Sequence, residues 1–436
     1  MSLSSSTSHN GGGRASGVRT HQLSNGLTIV GESLADKRAA AWTFLIPSGA
    51  ATEPSALGGL TTVLESLSYR GALSADGTVR DSRALSDALD DLGIDRGGGT
   101  ETEYTTFGGA TLSDYLPEAL TLYADIIRRP FLLQESFPPE EFEAERVLAL
   151  QALESLEDNP ARKMFVQLRR MHFPDNYGRS PLGTREGLQA LTPGALRADH
   201  AARFRPDGAI LSLAGGIDFD DVVQRIEKLF GDWSGQLPQP PLPRPVDTAR
   251  VHHIAQETSQ QHIGVAYAGV PTTSEHFYNY RLAVSVLSGG MGARLFTEVR
   301  EKRGLVYSVS ASATSLRGCG VTLAYAGTTP ERSQETLDVL LNELRRMAEG
   351  VTEEEVERAK VGMLSELVMQ EESSRARASA IARDQFILGR VRSLDEVTEA
   401  INNVSPQTIA EFYAQNPPHN FTVVTLGPRE LQVNGS

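Results

Sequence analysis

Three pairs of segments recur along this chain at a nearly constant offset of roughly 213–217 residues, and that recurrence limits the folds open to it. Pro139-Glu140-Glu141-Phe142-Glu143-Ala144-Glu145-Arg146, leading into an amphipathic helix, returns as Thr352-Glu353-Glu354-Glu355-Val356-Glu357-Arg358-Ala359-Lys360. Thr192-Pro193-Gly194-Ala195-Leu196 returns as Ser405-Pro406-Gln407-Thr408-Ile409. A helix ending Ile126-Ile127-Arg128-Arg129 returns as one ending Glu343-Leu344-Arg345-Arg346. A solenoid repeats every 20–50 residues or so; this longer period predicts a duplicated domain.

The run from Gln236 to Pro245 carries five prolines. Each fixes φ and removes a backbone donor, so an extended, semi-rigid spacer is expected between the copies. The expected organisation is a disordered tail over 1–17, a first domain over 18–235, a linker over 236–248 and a second domain over 249–436.

Composition excludes several function classes. The 436 residues are 40% hydrophobic, enough for more than one core. A net charge of −14 with no long Lys/Arg run argues against nucleic acid as a partner. No stretch approaches the roughly 18–20 apolar residues of a membrane span. The Ser- and Gly-rich first 17 residues have no signal-peptide core. Cys319 is the single cysteine, so no disulfide can form within the chain, and a reducing, cytoplasmic setting is expected. It sits in Arg317-Gly318-Cys319-Gly320, between strand-like runs, and reads as a structural thiol.

Each half mixes strands and helices without strict alternation, which predicts α+β. His21–Gly31 reads as a hairpin around Ser24-Asn25-Gly26. Ala40–Ile46, Thr102–Thr111 and Ala209–Ala214 read as strands, and Leu57–Tyr69, Arg83–Leu92, Leu116–Ile127 and Phe137–Leu156 as helices. The expected domain is a largely antiparallel sheet with helices on one face.

Gly59-Leu60-Thr61-Thr62-Val63-Leu64-Glu65-Ser66-Leu67-Ser68-Tyr69-Arg70-Gly71 puts Thr62, Glu65 and Ser66 at i, i+3 and i+4 of a helix, on one face. The stretch resembles the inverted zinc motif H-x-x-E-H of the M16 peptidases, the insulinase and mitochondrial-processing-peptidase-like family, with its leading Gly and its aromatic-basic-Gly end. The resemblance implies that Thr62 and Ser66 stand where the family has its zinc-binding His, with Glu65 unchanged. The family's third ligand, a Glu seven residues beyond the Glu of an E-R pair, falls on Ala152, counted from Glu145-Arg146. Neutral hydroxyls are poor zinc ligands, so no metal is expected in this chain. The nine His form no i, i+4 pair, and His252 and His253 are adjacent and would point to opposite faces of a strand.

Arg294-Leu295-Phe296-Thr297-Glu298-Val299-Arg300-Glu301-Lys302-Arg303-Gly304-Leu305-Val306-Tyr307-Ser308 is similar to the family's R-L-F-x-x-V-R-E-x-x-G-L-x-Y stretch. That likeness implies that Arg300 holds a peptide carbonyl or carboxylate and that the Tyr307 hydroxyl stabilises an oxyanion. The Gly-rich Gly289-Gly290-Met291-Gly292 lacks phosphate-loop spacing and reads as a loop before the Arg300 helix.

Some M16 enzymes work as two chains of about this length, one with zinc and one without. The resemblance implies the zinc-less subunit: inactive alone, half of a clam-shaped chamber for unfolded peptides, its zinc supplied by a heterodimeric partner with intact H-x-x-E-H. The alternative is a catalytically inactive peptide-binding or scaffold protein of the same fold. No Ser-His-Asp or Cys-His arrangement suggests an unrelated peptidase site.

Overall fold

Asn25 and Gly26 close the first hairpin. Gly26 takes φ +96°, and Asn25 Oδ1 accepts from the Leu27 N–H at 3.1 Å, bringing β1 (Val18–Gln22) antiparallel to β2 (Thr28–Ser33). The structure is a computed structural model describing residues 17–132, 136–173, 175–237 and 242–433. The expected tail, Gly17 excepted, lies outside the described residues, as do Pro238–Pro241 of the linker. Beyond them, Val246 N–H donates to the His172 carbonyl at 2.9 Å, and 242–248 forms no regular element.

The first half continues with β3 (Ala39–Ile46), a small two-stranded sheet of β4 (Gly71–Leu73) and β5 (Val79–Asp81), then β6 (Asp95–Thr100), β7 (Thr105–Leu112) and β8 (Ile210–Gly215). The main sheet runs β1-β2-β8-β3-β7-β6, antiparallel except for β2 beside β8. Its helices are α1 (Leu60–Ser68), α2 (Ser82–Asp91), α3 (Leu116–Arg128), α4 (Pro139–Glu154), α5 (Pro160–His172), α6 (Arg185–Ala190), α7 (Pro193–Arg203) and α8 (Phe219–Phe230). Val63 and Leu67 of α1, Tyr123 of α3 and Ile226 of α8 share one core with Trp42, Phe44 and Phe107 of the sheet.

The second half repeats this plan with β9 (Arg250–Ala255), β10 (Gln261–Gly269), β11 (Val306–Leu316), β12 (Cys319–Thr328) and β13 (Thr422–Gly427). Its order, β11-β12-β10-β13-β9, mirrors β6-β7-β3-β8-β2, and again one pair, β13 with β9, is parallel. Its helices are α9 (Phe277–Ser288), α10 (Ser333–Arg346), α11 (Glu353–Glu371), α12 (Ser374–Leu388), α13 (Leu394–Asn402) and α14 (Pro406–Gln415). The recurring Thr/Ser-Pro segments are helix starts. Thr192 caps α7 by accepting from Ala195 N–H, Ser405 caps α14 by accepting from Thr408 N–H, and Pro follows each at the first helical position.

Helices of each half cover one face of its own sheet, as the sequence predicts; the opposite face is covered by a helix from the other half. α5 packs on β10 and β13, and α12 packs on β3 and β8. Met164 and Leu168 of α5 pack in one cluster with Ala266, Val424 and Leu426 of the second sheet. Ala378, Ile381 and Ala382 of α12 do the same with Val30, Ala41, Leu45 and Ile210 of the first. This exchange explains why β3 is apolar on both faces apart from Thr43: alternate residues face opposite ways and both faces are buried.

Candidate functional site

Helix α1 begins at Gly59, whose φ of +97° and close approach to Leu188 and Gly183 leave no room for a Cβ. Its first N–H groups are satisfied by a buried acid: Glu53 accepts from Gly59 N–H at 2.9 Å and Thr61 N–H at 2.7 Å. Burial raises the Glu53 carboxyl despite these bonds. Arg203 donates to Thr61 Oγ1 at 2.8 Å and fixes the same turn to α7.

α1, which carries Thr62, Glu65 and Ser66, packs against α4, which carries Glu145 and Ala152. Thr62 is turned to the loop before α6, where its Oγ1 donates to the Pro181 carbonyl at 2.6 Å. The Ser66 hydroxyl has no hydrogen-bond partner among the described residues. Ala152 is exposed on α4 and offers no side-chain donor atom. Glu145 is buried and accepts from Arg70 Nε at 2.5 Å. The Glu65 carboxyl is pushed up to about 7, first by burial and then by the negative charge of Glu145. Near neutral pH it therefore exchanges a proton, which an ordinary surface Glu does not.

Two hydroxyls, one carboxyl and a methyl do not fit a tetrahedral zinc site. Among the described residues no group of three or more His, Cys, Asp or Glu side chains could hold a metal ion. His252 is exposed on edge strand β9, while His253 Nδ1 pairs with Thr425 Oγ1 at 2.8 Å.

In the second half, Met291 is exposed in the turn after α9, and a π-helical segment over Phe296–Glu301 follows. Arg300 is exposed on it, its guanidinium 4.9 Å from the Phe296 ring centroid. Gly304, at φ +59°, turns the chain into β11, its N–H donating to the Arg300 carbonyl at 3.0 Å. A β-bulge follows at once. Val306 lies opposite Thr328 and Ser308 opposite Gly327, so Tyr307 is the extra residue. The bulge turns Tyr307 outward on an edge strand: it is 78% exposed, and its hydroxyl has no hydrogen-bond partner among the described residues. No hydrogen bond or ion pair among the described residues joins the Arg300–Tyr307 region to the Glu65 region.

A family model described as insulinase (peptidase family M16) matches residues 28–185, and one described as the peptidase M16 inactive domain matches residues 190–363. An uncharacterized zinc protease of Streptomyces coelicolor is 31% identical over 403 residues, covering 90% of this chain and 85% of its own. The chain belongs to peptidase family M16. The uncharacterized zinc protease YmxG of Bacillus subtilis is 26% identical over 94% of this chain and 98% of its own. The M16 fold is also that of a peptidase M16 inactive domain from Pseudomonas fluorescens, with a TM-score of 0.85 at 20% identity over 95% of this chain and 99% of that one. A protease from Helicobacter pylori superposes with a TM-score of 0.81 at 19% identity, over 94% of this chain and 99% of its own.

Within this M16 chain, one residue that sequence reasoning passed over holds the second-half region in place. Arg294 donates to both carboxylate oxygens of Glu355, at 2.6 and 2.7 Å, and to the Gly350 carbonyl at 2.9 Å. That fork fastens the π-helical segment to the start of α11 and holds the Glu355 carboxyl down at about 2. The signal was present in the sequence, since Arg294 opens the quoted motif and Glu355 belongs to the repeated acidic segment. Cys319 is buried at the start of β12, and burial first, then nearby acids, push its thiol up to about 12. Burial and a raised thiol disfavour the thiolate that a nucleophile needs. No helix among the described residues is long and apolar enough to cross a membrane.

Proposed function

We propose that this chain is the zinc-less subunit of a two-chain M16 peptidase. Zinc and the general base belong to a partner with intact H-x-x-E-H, and this chain contributes Arg300 and Tyr307 to substrate. The reading rests on one observation above others: a bulge exposes Tyr307 with its hydroxyl unspent, one short turn after an exposed Arg300. A tyrosine kept only for packing would bury its ring. Arg300 donates to a peptide carbonyl or carboxylate. The Tyr307 O–H donates to the oxyanion that forms as the scissile carbonyl is attacked. Thr62, Ser66 and Ala152 support the loss of this chain's own zinc motif, and Glu65 without a metal has no water to activate. Unfolded peptides held in a chamber between the subunits are the expected substrates.

A second reading, an inactive M16 protein that holds peptides or partners, is favoured by the exposed Val147 and Leu148 one to two turns from Ala152 on α4. These could grip an extended peptide without cutting it. Affinity capture of the tagged chain from its own cells, followed by zinc-dependent peptidase assay of the complex, separates the two. A stoichiometric zinc-motif partner and cleavage support the split enzyme. Recovery of the chain alone, or only with itself, leaves the binding protein.

A further inference from the structure

The two halves meet around a cavity of about 560 Å³, within the size range of small-molecule sites. It is walled by the segment after β6 and by α5 of the first half, and by α9, β11, α11, α12 and α13 of the second. Its charged side chains fall into two sets. Arg392 is paired with Asp384 at 2.5 Å, Glu103 with Arg317 at 3.2 Å, and Arg377 with Glu32. Three guanidiniums of the lining have no carboxylate at ion-pair distance among the described residues: Arg169 of α5, Arg281 of α9 and Arg383 of α12. Arg169 donates to Thr102 Oγ1 at 2.7 Å and to the Tyr177 carbonyl at 3.3 Å, leaving further N–H groups unspent. Arg281 and Arg383 make no hydrogen bond or ion pair among the described residues. The acids left in the lining, Glu101 and Glu366, are both exposed, and Glu366 accepts from Gln370.

Arg169 and Arg281 are half-buried and Arg383 is exposed; a half-buried cation without a carboxylate partner is costly, and proteins ordinarily pair it. Burial weighs on Arg169, pulling its guanidinium below the ordinary value although the charges of Glu101 and Glu103 act the other way. Apolar side chains, Phe277, Leu316, Met363, Leu367 and Ile387, stand beside the cations, interspersed with polar ones such as Thr272, Ser315 and Gln370. Guanidinium forks match carboxylate and phosphate oxygens, and the apolar side chains match an apolar body.

We propose that the cavity between the halves binds a small amphipathic anion, a carboxylate or phosphate on an apolar body, held by Arg169, Arg281 and Arg383. Because its walls come from both halves, an occupant ties them together. The proposal is independent of the Arg300–Tyr307 reading, since it concerns other residues and needs no partner chain.

The test is calorimetric titration of the full chain with phenylbutyrate, its neutral amide and inorganic phosphate. Saturable binding of phenylbutyrate is expected, with the amide about tenfold weaker or worse, as for a lost charge-assisted bond. Joint Arg281→Gln and Arg383→Gln replacement should weaken phenylbutyrate about tenfold or more. Because neither side chain makes a hydrogen bond or ion pair among the described residues, the ligand-free Tm should hold or rise, which separates lost binding from lost folding. Arg383→Lys, keeping the charge, should recover part of the affinity. Displacement of phenylbutyrate by phosphate assigns the site to phosphoryl and carboxyl anions alike; failure to displace assigns it to carboxylates with an apolar body. Equal binding of acid and amide, unchanged affinity in the double variant, or no saturable binding of phenylbutyrate or phosphate overturns the proposal.

Discussion

Thr62 on α1 donates its hydroxyl to the carbonyl of Pro181, 2.6 Å away, so the first position of the expected zinc motif is turned to the backbone before α6. Ser66 lies one turn on, and Ala152 stands exposed on the helix packed against α1. Helical spacing alone places side chains at 62 and 66 on one face. We therefore expect Thr62→His, Ser66→His and Ala152→Glu together to create a site holding about one zinc per chain, with the parent at background. Equilibrium dialysis with metal analysis reads this directly. A triple variant that folds, by circular dichroism, and takes up no zinc would show that these are not the ligand positions.

The exchange of α5 and α12 ties the two M16 domains together, and we expect them to unfold as one unit. Ser212 of β8 donates to the Ala378 carbonyl of α12 at 2.7 Å, and Ile381 is fully buried against the first sheet. Ile381→Ala should cost about 2–5 kcal/mol, the usual range for a buried large-to-small change. On the other side, a Cβ at Gly264 would lie 2.0 Å from Met164 Sδ, so Gly264→Ala should push the Met164 side chain aside and loosen the packing of α5 on β10. Urea unfolding followed at Trp42, whose ring lies in the first core, should shift for both variants. A Gly264→Ala chain in which the Trp42 signal does not move would mean that the halves unfold independently.

Much of the fold was legible because local chemistry and global plan agree. Asn25-Gly26 closed the predicted hairpin, and the Thr192/Ser405 repeats proved to be matching helix caps. Strand β6 was not foreseen, since Gly97, Gly98 and Gly99 carry no strand-forming side chains and its place comes from pairing with β7. The exchange was hidden for a different reason. A helical pattern tells which face of α5 or α12 is buried but not which sheet buries it. At the site, Arg300 and Tyr307 were legible as a motif, whereas the bulge that exposes Tyr307 depends on the register of β11 against β12. The proton affinity of Glu65 was likewise invisible, because its causes are burial and Glu145, eighty residues away in sequence.

That proton affinity has a consequence for stability. The folded Glu65 carboxyl sits at about 7 against an ordinary 4.5, so between these values the folded state holds a proton that the unfolded chain releases. Stability from this group is therefore present at low pH and lost as pH rises through about 7. Glu65→Gln should flatten that slope and stabilise the chain above pH 7 by up to about 3 kcal/mol. Chemical denaturation across this pH range checks it. A variant whose stability parallels the parent at every pH would mean that Glu65 titrates normally.

Tyr307 offers the sharpest separation of structure from function. Its hydroxyl makes no hydrogen bond among the described residues, so Tyr307→Phe should leave unfolding within about 0.5 kcal/mol of the parent, as for other surface changes. If the hydroxyl donates to an oxyanion in the assembled peptidase, the same change should lower kcat about 10²–10³-fold with KM little altered, because the bond forms only in the transition state. Arg300→Ala should instead raise KM, since its contact with a peptide carbonyl exists before the chemistry begins. Steady-state kinetics of the reconstituted two-chain complex, with assembly checked by size exclusion, distinguishes these outcomes. A Tyr307→Phe complex that assembles and cleaves at the parental rate would remove Tyr307 from the chemistry and leave this M16 chain as a holder of peptides.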